Sequence, residues 1–296
     1  MLSLQRAVDW SKVRVTIVHD GTEPFPSEYF DDYPFKVNQV SIPHGGIAAA
    51  RNWCLDHSDA KWIKWCDFDD MMYGAFSLQQ IVNVLDTDKY DLLWFELLCD
   101  DHGKVINRME RDPIFVHNKV FRRQFLLDKE IRFNEALTWC EDSAMLALVE
   151  MDIDHRRIGK IRAQSPLYIY VVRDGSLCNR PEIKFANLKS FFVRHCYVAD
   201  NFLKRGRIEE YNTMCVRVMG DSYYTLVKAP GITEDKSEFE KQVWAWYDEH
   251  REPFWDCTKK NFDMVLKAVN KERDDAGPIT AKEFIAWINK HEGREQ

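Results

Sequence analysis

No apolar run in this chain approaches the roughly 18 residues that a membrane span needs; the longest, such as Leu167 to Val172, fall far short. At most a peripheral membrane contact is therefore expected. Residues Met1 to Trp10 carry Gln5, Arg6 and Asp9 without an apolar core, which argues against a signal peptide. Positive charge is not in excess either. Lys and Arg number 41 against 48 Asp and Glu, a net charge of -7, so no global basic field recruits nucleic acid or anionic lipid. The eight cysteines form no C-x-x-C pair and no regular spacing, which fits neither a zinc site nor a disulfide framework. Reduced thiols in a cytoplasmic protein are the expectation. Internal repeats, low-complexity segments and a Gly-rich phosphate loop are also missing. What the chain does have is apolar content, 45% of its 296 residues, enough for one large domain or two smaller ones with a sizeable core.

Several apolar runs end on acids. Val13 to Val18 reads as a β-branched strand closed by His19-Asp20-Gly21-Thr22, and Val37 to Ile42 as a second strand that Pro43-His44-Gly45-Gly46 turns into a helix from Ile47 to Asp56. Lys61-Trp62-Ile63-Lys64-Trp65-Cys66 reads as a buried strand ending in Asp67-Phe68-Asp69-Asp70. In an extended chain side chains alternate, so Asp67 and Asp69 are expected to project together while Phe68 points the other way into packing. Carboxylates so placed suit a hard divalent cation, Mg2+ or Mn2+. The plain alternative is an acidic turn leading into the helix that starts near Phe76.

The alternation continues with a strand over Asp91 to Phe95, a short helix over Lys119 to Asp128, a helix over Ser143 to Met151 capped by Asp142, and a strand over Leu167 to Val172. Such an order predicts an α/β fold with a mostly parallel sheet and flanking helices. Beyond Pro181 the texture turns to long helical patterns, so a boundary is placed near Arg180, giving residues 1–180 and a helical region over 181–296.

Ile17-Val18-His19-Asp20-Gly21-Thr22, Gly45 to Asn52, Asp67-Phe68-Asp69-Asp70 and Cys140-Glu141-Asp142, taken in order, resemble the motifs of family 2 glycosyltransferases, inverting enzymes of the GT-A fold. The resemblance covers about residues 1 to 180. It implies transfer of a sugar from a nucleotide sugar, most readily a UDP-sugar, to a hydroxyl of a glycan or lipid-linked glycan. Asp20, Arg51, Asp67, Arg173 and Ser176 would bind the donor, Asp69 with Asp67 would hold Mn2+ or Mg2+, and Asp142 would act as catalytic base. Trp139 and Glu141 would meet the acceptor. The family's usual first strand, before the strand ending at Asp20, is not expected among these residues, since residues 1 to 9 read as the end of the helix that follows it. Each residue also has an ordinary reading: a turn acid for Asp20, a solvated helix face for Arg51, a helix cap for Asp142, core packing for Trp139. Two other functions stay open, a non-catalytic nucleotide-sugar-binding module and a glycosyltransferase acting on a nucleic-acid base.

Overall fold

The computed structural model describes residues 8–74, 76–101, 103–108, 114–161, 166–173, 184–273 and 276–294. Two compact units divide the chain, Met1–Asn179 and Arg180–Gln296.

In the first unit, β1 (Val15–Asp20) pairs in parallel with β2 (Val37–Ile42). The turn after β1 depends on Gly21 at φ +75°, where a Cβ would stand 2.6 Å from that of His44. Helix α1 (Gly46–His57) follows and buries Ala48, Arg51, Asn52 and Leu55, the i, i+3, i+4, i+7 stripe of one helical face. Two of those four positions are polar, and the solvated face considered for Arg51 is not where it lies.

The remaining strands form two four-stranded sheets. One runs β3 (Trp62–Ile63), β8 (Lys119–Arg122), β5 (Leu92–Trp94), β9 (Ile158–Lys160); the other β4 (Met71–Met72), β10 (Tyr168–Val172), β6 (Leu97–Asp101), β7 (Lys104–Arg108). Helix α2 (Ser77–Leu85) lies between β4 and β5 in the chain. Among the described residues, β1–β2, β6–β10 and β5–β9 are parallel, whereas β4–β10, β3–β8, β5–β8 and β6–β7 are antiparallel. The architecture is thus mixed, with more antiparallel pairing than the strand–helix alternation suggests: β6 returns directly as β7, while β8 and β10 come back from later in the chain to pair antiparallel with β3, β5 and β4.

Among the connections whose residues are all described, two cross between the sheets within a few residues. Phe95 and Glu96 link β5 to β6, and Lys64 to Asp70 links β3 to β4. The acid-rich loop therefore occupies the seam, beside a core of Ile81, Leu93, Phe95, Leu97, Val120, Leu167 and Tyr168.

Lys119 to Arg122, expected to open a helix, is instead the strand β8, paired on both sides, and α3 (Arg123–Asp128) starts only after it. Local composition is overridden by long-range pairing: Val120 and Phe121 are buried between β3 and β5, and the Lys119 ammonium reaches the Phe115 carbonyl and Asn118 Oδ1. Helix α4 (Glu141–Asp152) starts two residues earlier than expected, so Asp142 sits in its first turn and Cys140, at φ 68°, takes the cap.

The second unit is helical: α5 (Lys184–Lys204), α6 (Ile208–Tyr223), α7 (Ser237–Glu249), α8 (Arg251–Trp255), α9 (Lys259–Glu272) and α10 (Ala281–His291). At the start of α10 Thr280 Oγ1 accepts from Glu283 N–H at 3.3 Å and donates to the Glu283 carboxylate at 3.2 Å, a side-chain cap. Its core includes Cys215, Val216, Met219, Val243, Tyr247, Val269, Phe284 and Ile288. At its centre Asp221, 2% exposed, accepts from Arg217 Nε at 2.5 Å and lies 3.4 Å from Arg273 Nη2 and 3.2 Å from His195 Nδ1. Burial opposes ionisation of Asp221, but these three partners win and hold its pKa well below the usual carboxylate range. Asp221→Ala removes the buried carboxylate that Arg217 and Arg273 share, leaving Arg217 only its pairing with Glu272, and is expected to cost about 3 kcal/mol, measured by denaturant unfolding with hydrogen exchange localising the loss to Arg180–Gln296.

Candidate active site

Three segments of the first unit meet at one guanidinium. Arg51, only 5% exposed, donates from Nη1 to Glu141 Oε1 at 3.0 Å and to Asp142 Oδ1, and from Nη2 to Asp67 Oδ1 at 2.9 Å. Its neighbour on the helix, Asn52, bonds both Phe133 N–H and Phe133 C=O at 3.0 Å, which clamps the chain leading to α4 against α1. Desolvation disfavours the Arg51 charge, yet the three carboxylates outweigh it and raise its pKa. Asp67 behaves in the mirror sense: burial works to raise its pKa, but Arg51 and His117 hold it below the ordinary value.

Asp142 is 7% exposed, and its Oδ2 accepts from Val116 N–H at 3.1 Å. Burial pushes this carboxyl up to about 7 in spite of Arg51, and Glu141 adds to the rise. A carboxyl tuned to that range is matched to taking a proton near neutral pH.

His117 completes the cluster. Its Nε2 lies 3.7 Å from Asp67 Oδ2 and from Asp142 Oδ2. Nδ1 is buried without a hydrogen-bond partner, and burial lowers the imidazole pKa to about 4, which leaves the ring neutral. The ring stacks parallel to Tyr168 at 6.0 Å. One ligand atom each from Asp67, Asp70 and His117 fall within 4.8 Å of one another. Two carboxylates and a neutral imidazole are a suitable donor set for Mn2+, less so for Mg2+, which prefers oxygen throughout. Nε2, the ring nitrogen that faces the acids, stands 3.7 Å from a carboxylate oxygen of Asp67 and of Asp142, too far for a hydrogen bond, and that gap between oxygen and nitrogen donors is the local sign that the cluster fits a cation.

Asp70 is drawn in by β10: it accepts from Tyr168 O–H at 2.7 Å and Val171 N–H at 2.9 Å. Burial still raises its carboxyl to about 6. The Lys64 ammonium sits over the Tyr168 ring at 4.0 Å, and burial lowers its pKa to about 8.

The expected alternation through this loop is not what forms. The ladder stops at Ile63, Trp65 turns edge-on to Phe133 at 5.0 Å, and the chain leaves extended geometry. Phe68, expected in packing, is 83% exposed and stacks on Phe25 at 5.5 Å. Asp69 is paired with Arg173, away from the three-atom cluster that takes Asp70 in its place. Asp20 accepts from Gly45 N–H at 2.7 Å, Gly46 N–H at 2.9 Å and His44 Nδ1 at 2.9 Å, so both oxygens are used to hold the corner that starts α1. Trp139 is half-buried just before the Cys140 cap. Ser176 lies outside the described residues. His117 carried no local sequence signal; a single His between Val116 and Asn118 reads as ordinary strand flank.

Residues 2–153 match the model of the family described as Glycosyl transferase family 2, just over half of the chain. This protein belongs to that family. Its chain is similar to the minor teichoic acid biosynthesis protein GgaB of Bacillus subtilis (strain 168), 23% identical over 94 residues, which are 30% of this chain and 10% of GgaB. It thus spans a small part of that relative's length. Among solved structures it is similar to S. aureus TarS. The TarS 1-349 complex with UDP-GlcNAc superposes with a TM-score of 0.50 at 15% identity, covering 91% of this chain and 86% of that one. A longer TarS structure gives 0.50 and 15% over 90% and 51%. These likenesses place the chain in the GT-A fold. Among the described residues no helix is long and apolar enough to cross a membrane.

Arg51→Ala leaves three converging carboxylates without a counter-charge and is expected to destabilise the first unit by about 3–5 kcal/mol. Arg51→Lys keeps the charge but not the fork, and should recover only part. Denaturant unfolding of the two variants checks this; a loss under about 1 kcal/mol for Arg51→Ala would remove Arg51 as the centre of the site.

Proposed function

We propose that this chain transfers a sugar, with inversion, from a nucleotide sugar to an acceptor hydroxyl. The observation that carries the reading is the meeting of Asp67, Asp70 and His117 with Asp142 around Arg51, in a chain of the glycosyltransferase family. A UDP-sugar is the donor class we favour, in keeping with the UDP-GlcNAc of the TarS complex.

Asp67, Asp70 and His117 would hold the divalent cation, Mn2+ in preference to Mg2+. Bound there, the cation supplies Lewis-acid neutralisation of the departing diphosphate. Asp142 takes the proton of the acceptor hydroxyl as that oxygen bonds to the anomeric carbon, while the bond from that carbon to the diphosphate oxygen breaks and its electron pair leaves with the nucleotide. Arg51 and Val116 N–H fix the Asp142 carboxylate for that step. Glu141 and Trp139, on either side of Cys140, face the acceptor role. Asp20 shapes the donor end through the His44–Gly46 corner rather than by an uncommitted oxygen. Arg173, paired with Asp69 at the end of β10, would exchange that carboxylate for a donor phosphate.

Nucleotide release from a UDP-sugar panel, with calorimetry of UDP and Mn2+, tests the reading. Asp142→Asn should lower turnover by about 10²–10⁴ with UDP binding retained. Asp67→Asn, Asp70→Asn and His117→Ala should each weaken Mn2+-dependent UDP binding about 10-fold or more, as should chelation, whereas Asp69→Asn should do so less than Asp70→Asn. UDP binding without turnover for any donor would favour the non-catalytic module, and turnover unchanged in Asp142→Asn would remove the base assignment.

A further inference from the structure

A line of aromatic side chains leaves the acid loop across the surface of the first unit. Phe68 stacks on Phe25 at 5.5 Å and 17°, Phe25 meets Phe30 at 6.4 Å, Phe30 meets Tyr33 at 6.0 Å, Tyr33 meets Phe35 at 5.4 Å, and Phe35 meets Trp10 at 4.8 Å. Tyr33 is 53% exposed and the neighbouring Tyr29 65%. Phe68 and Tyr33 are exposed and the other four rings of the row half-buried, and a continuous aromatic row open to solvent at these points, starting within a four-residue acid cluster, marks an interaction surface.

The segment that bears them is held in shape. Gln39 accepts from Phe25 N–H at 2.9 Å and donates to Phe25 C=O at 3.0 Å, and its carbonyl also meets His19 Nε2 at 2.9 Å. Pro24, Pro26 and Pro34 restrict the chain further, and Ser27–Phe30 forms a 3-10 turn. A surface fixed before binding loses little entropy on taking a ligand.

Charge narrows the ligand. Residues 21–35 contain Glu23, Glu28, Asp31 and Asp32, all exposed, and no Lys, Arg or His. Carboxylates accept hydrogen bonds from hydroxyls, while they repel phosphate and sulfate. A nucleobase would cover the Phe25–Phe68 pair alone; the row goes on for four more ring contacts, which suits a chain of repeating rings.

We infer that this strip is the acceptor track, and that it takes an uncharged, polyhydroxylated glycan chain whose sugar rings lie on the aromatic faces, to the exclusion of chains bearing phosphate or sulfate. The inference rests on the transferase reading above and adds the acceptor's chemical class. The probes are maltohexaose, cellohexaose and chitohexaose, with sulfated maltohexaose as the anionic counterpart, titrated into the full chain by calorimetry and saturation-transfer NMR. At least one neutral hexasaccharide should bind, and the sulfated one at least tenfold more weakly. A Tyr29→Ala/Tyr33→Ala double variant should weaken the neutral ligand about tenfold, equivalent to about 1.4 kcal/mol, and leave UDP–Mn2+ binding unchanged. Reversing charge with Glu28→Lys/Asp31→Lys/Asp32→Lys should strengthen binding of the sulfated chain, a gain that misfolding cannot mimic. The inference is overturned if no neutral chain binds, if the sulfated chain binds as well, or if the strip variants are silent. It is equally overturned if those variants abolish binding to phosphatidylcholine vesicles or self-association instead. Failure of UDP to bind with Mn2+ would sink the nucleotide-sugar reading and is read separately from the strip.

Discussion

Everything functional in the first unit depends on one buried cation. Asp67 comes from the loop after β3, and Glu141 and Asp142 from the first turn of α4; in a low-dielectric interior these carboxylates repel one another and resist ionisation. Arg51, presented by the buried face of α1, supplies the single planar fork that can address all three at once. Desolvating that guanidinium is costly on its own, so the acids and the arginine each make the burial of the other tolerable. The same balance leaves Asp142 with a raised pKa and Asp67 with a lowered one, two carboxylates in one cluster separated in role by what each touches.

The seam between the two sheets explains why the cluster forms there. A chain that leaves one sheet and enters another within a few residues brings loop backbone and strand ends together, and the side chains of β10 and of the β8 approach are delivered to the same spot. Tyr168 and Val171 N–H bind Asp70, while Val116 N–H and the His117 ring face Asp142. Cys140, held at a positive φ that non-glycine residues seldom adopt, sets the start of α4 so that Glu141 and Asp142 point at Arg51. Inside, then, the site is crowded and paired, with Arg51, His117 and Asp142 buried. Outside it the Phe25–Phe68 surface is open, aromatic and acidic, and the contrast separates the place where charge is handled from the place where a sugar chain would lie.

How much of this was legible depended on how local the cause was. β1, β2 and α1 follow from β-branched runs, a Pro-Gly turn and an alanine-rich helix, all short-range signals, and the four ordered motifs pointed to the family that the chain belongs to. Asp67, Arg51 and Asp142 were named from the sequence and do meet. The details of the acid loop were not readable. The alternation expected for Asp67, Phe68 and Asp69 assumed a strand that continues, whereas pairing with β8 stops at Ile63 and the chain turns over Asp67 to Asp70, where Asp70 N–H bonds the Asp67 carbonyl. That one departure turns Phe68 out to solvent and brings Asp70 in. Lys119 to Arg122 misled in the same manner, since its residues look helical in isolation and become a strand by pairing on two sides.

Residue order alone therefore determined which acids exist, that β1, β2 and α1 form, and which family the motifs resemble, because those follow from spacing and from the conformational preferences of neighbouring residues. Only the tertiary structure decided which acids share a site, that an imidazole from the β8 approach joins them, and that the loop's aromatic faces outward. Those outcomes are set by contacts between segments far apart in the chain, where desolvation and charge pairing act on distances that periodicity does not encode.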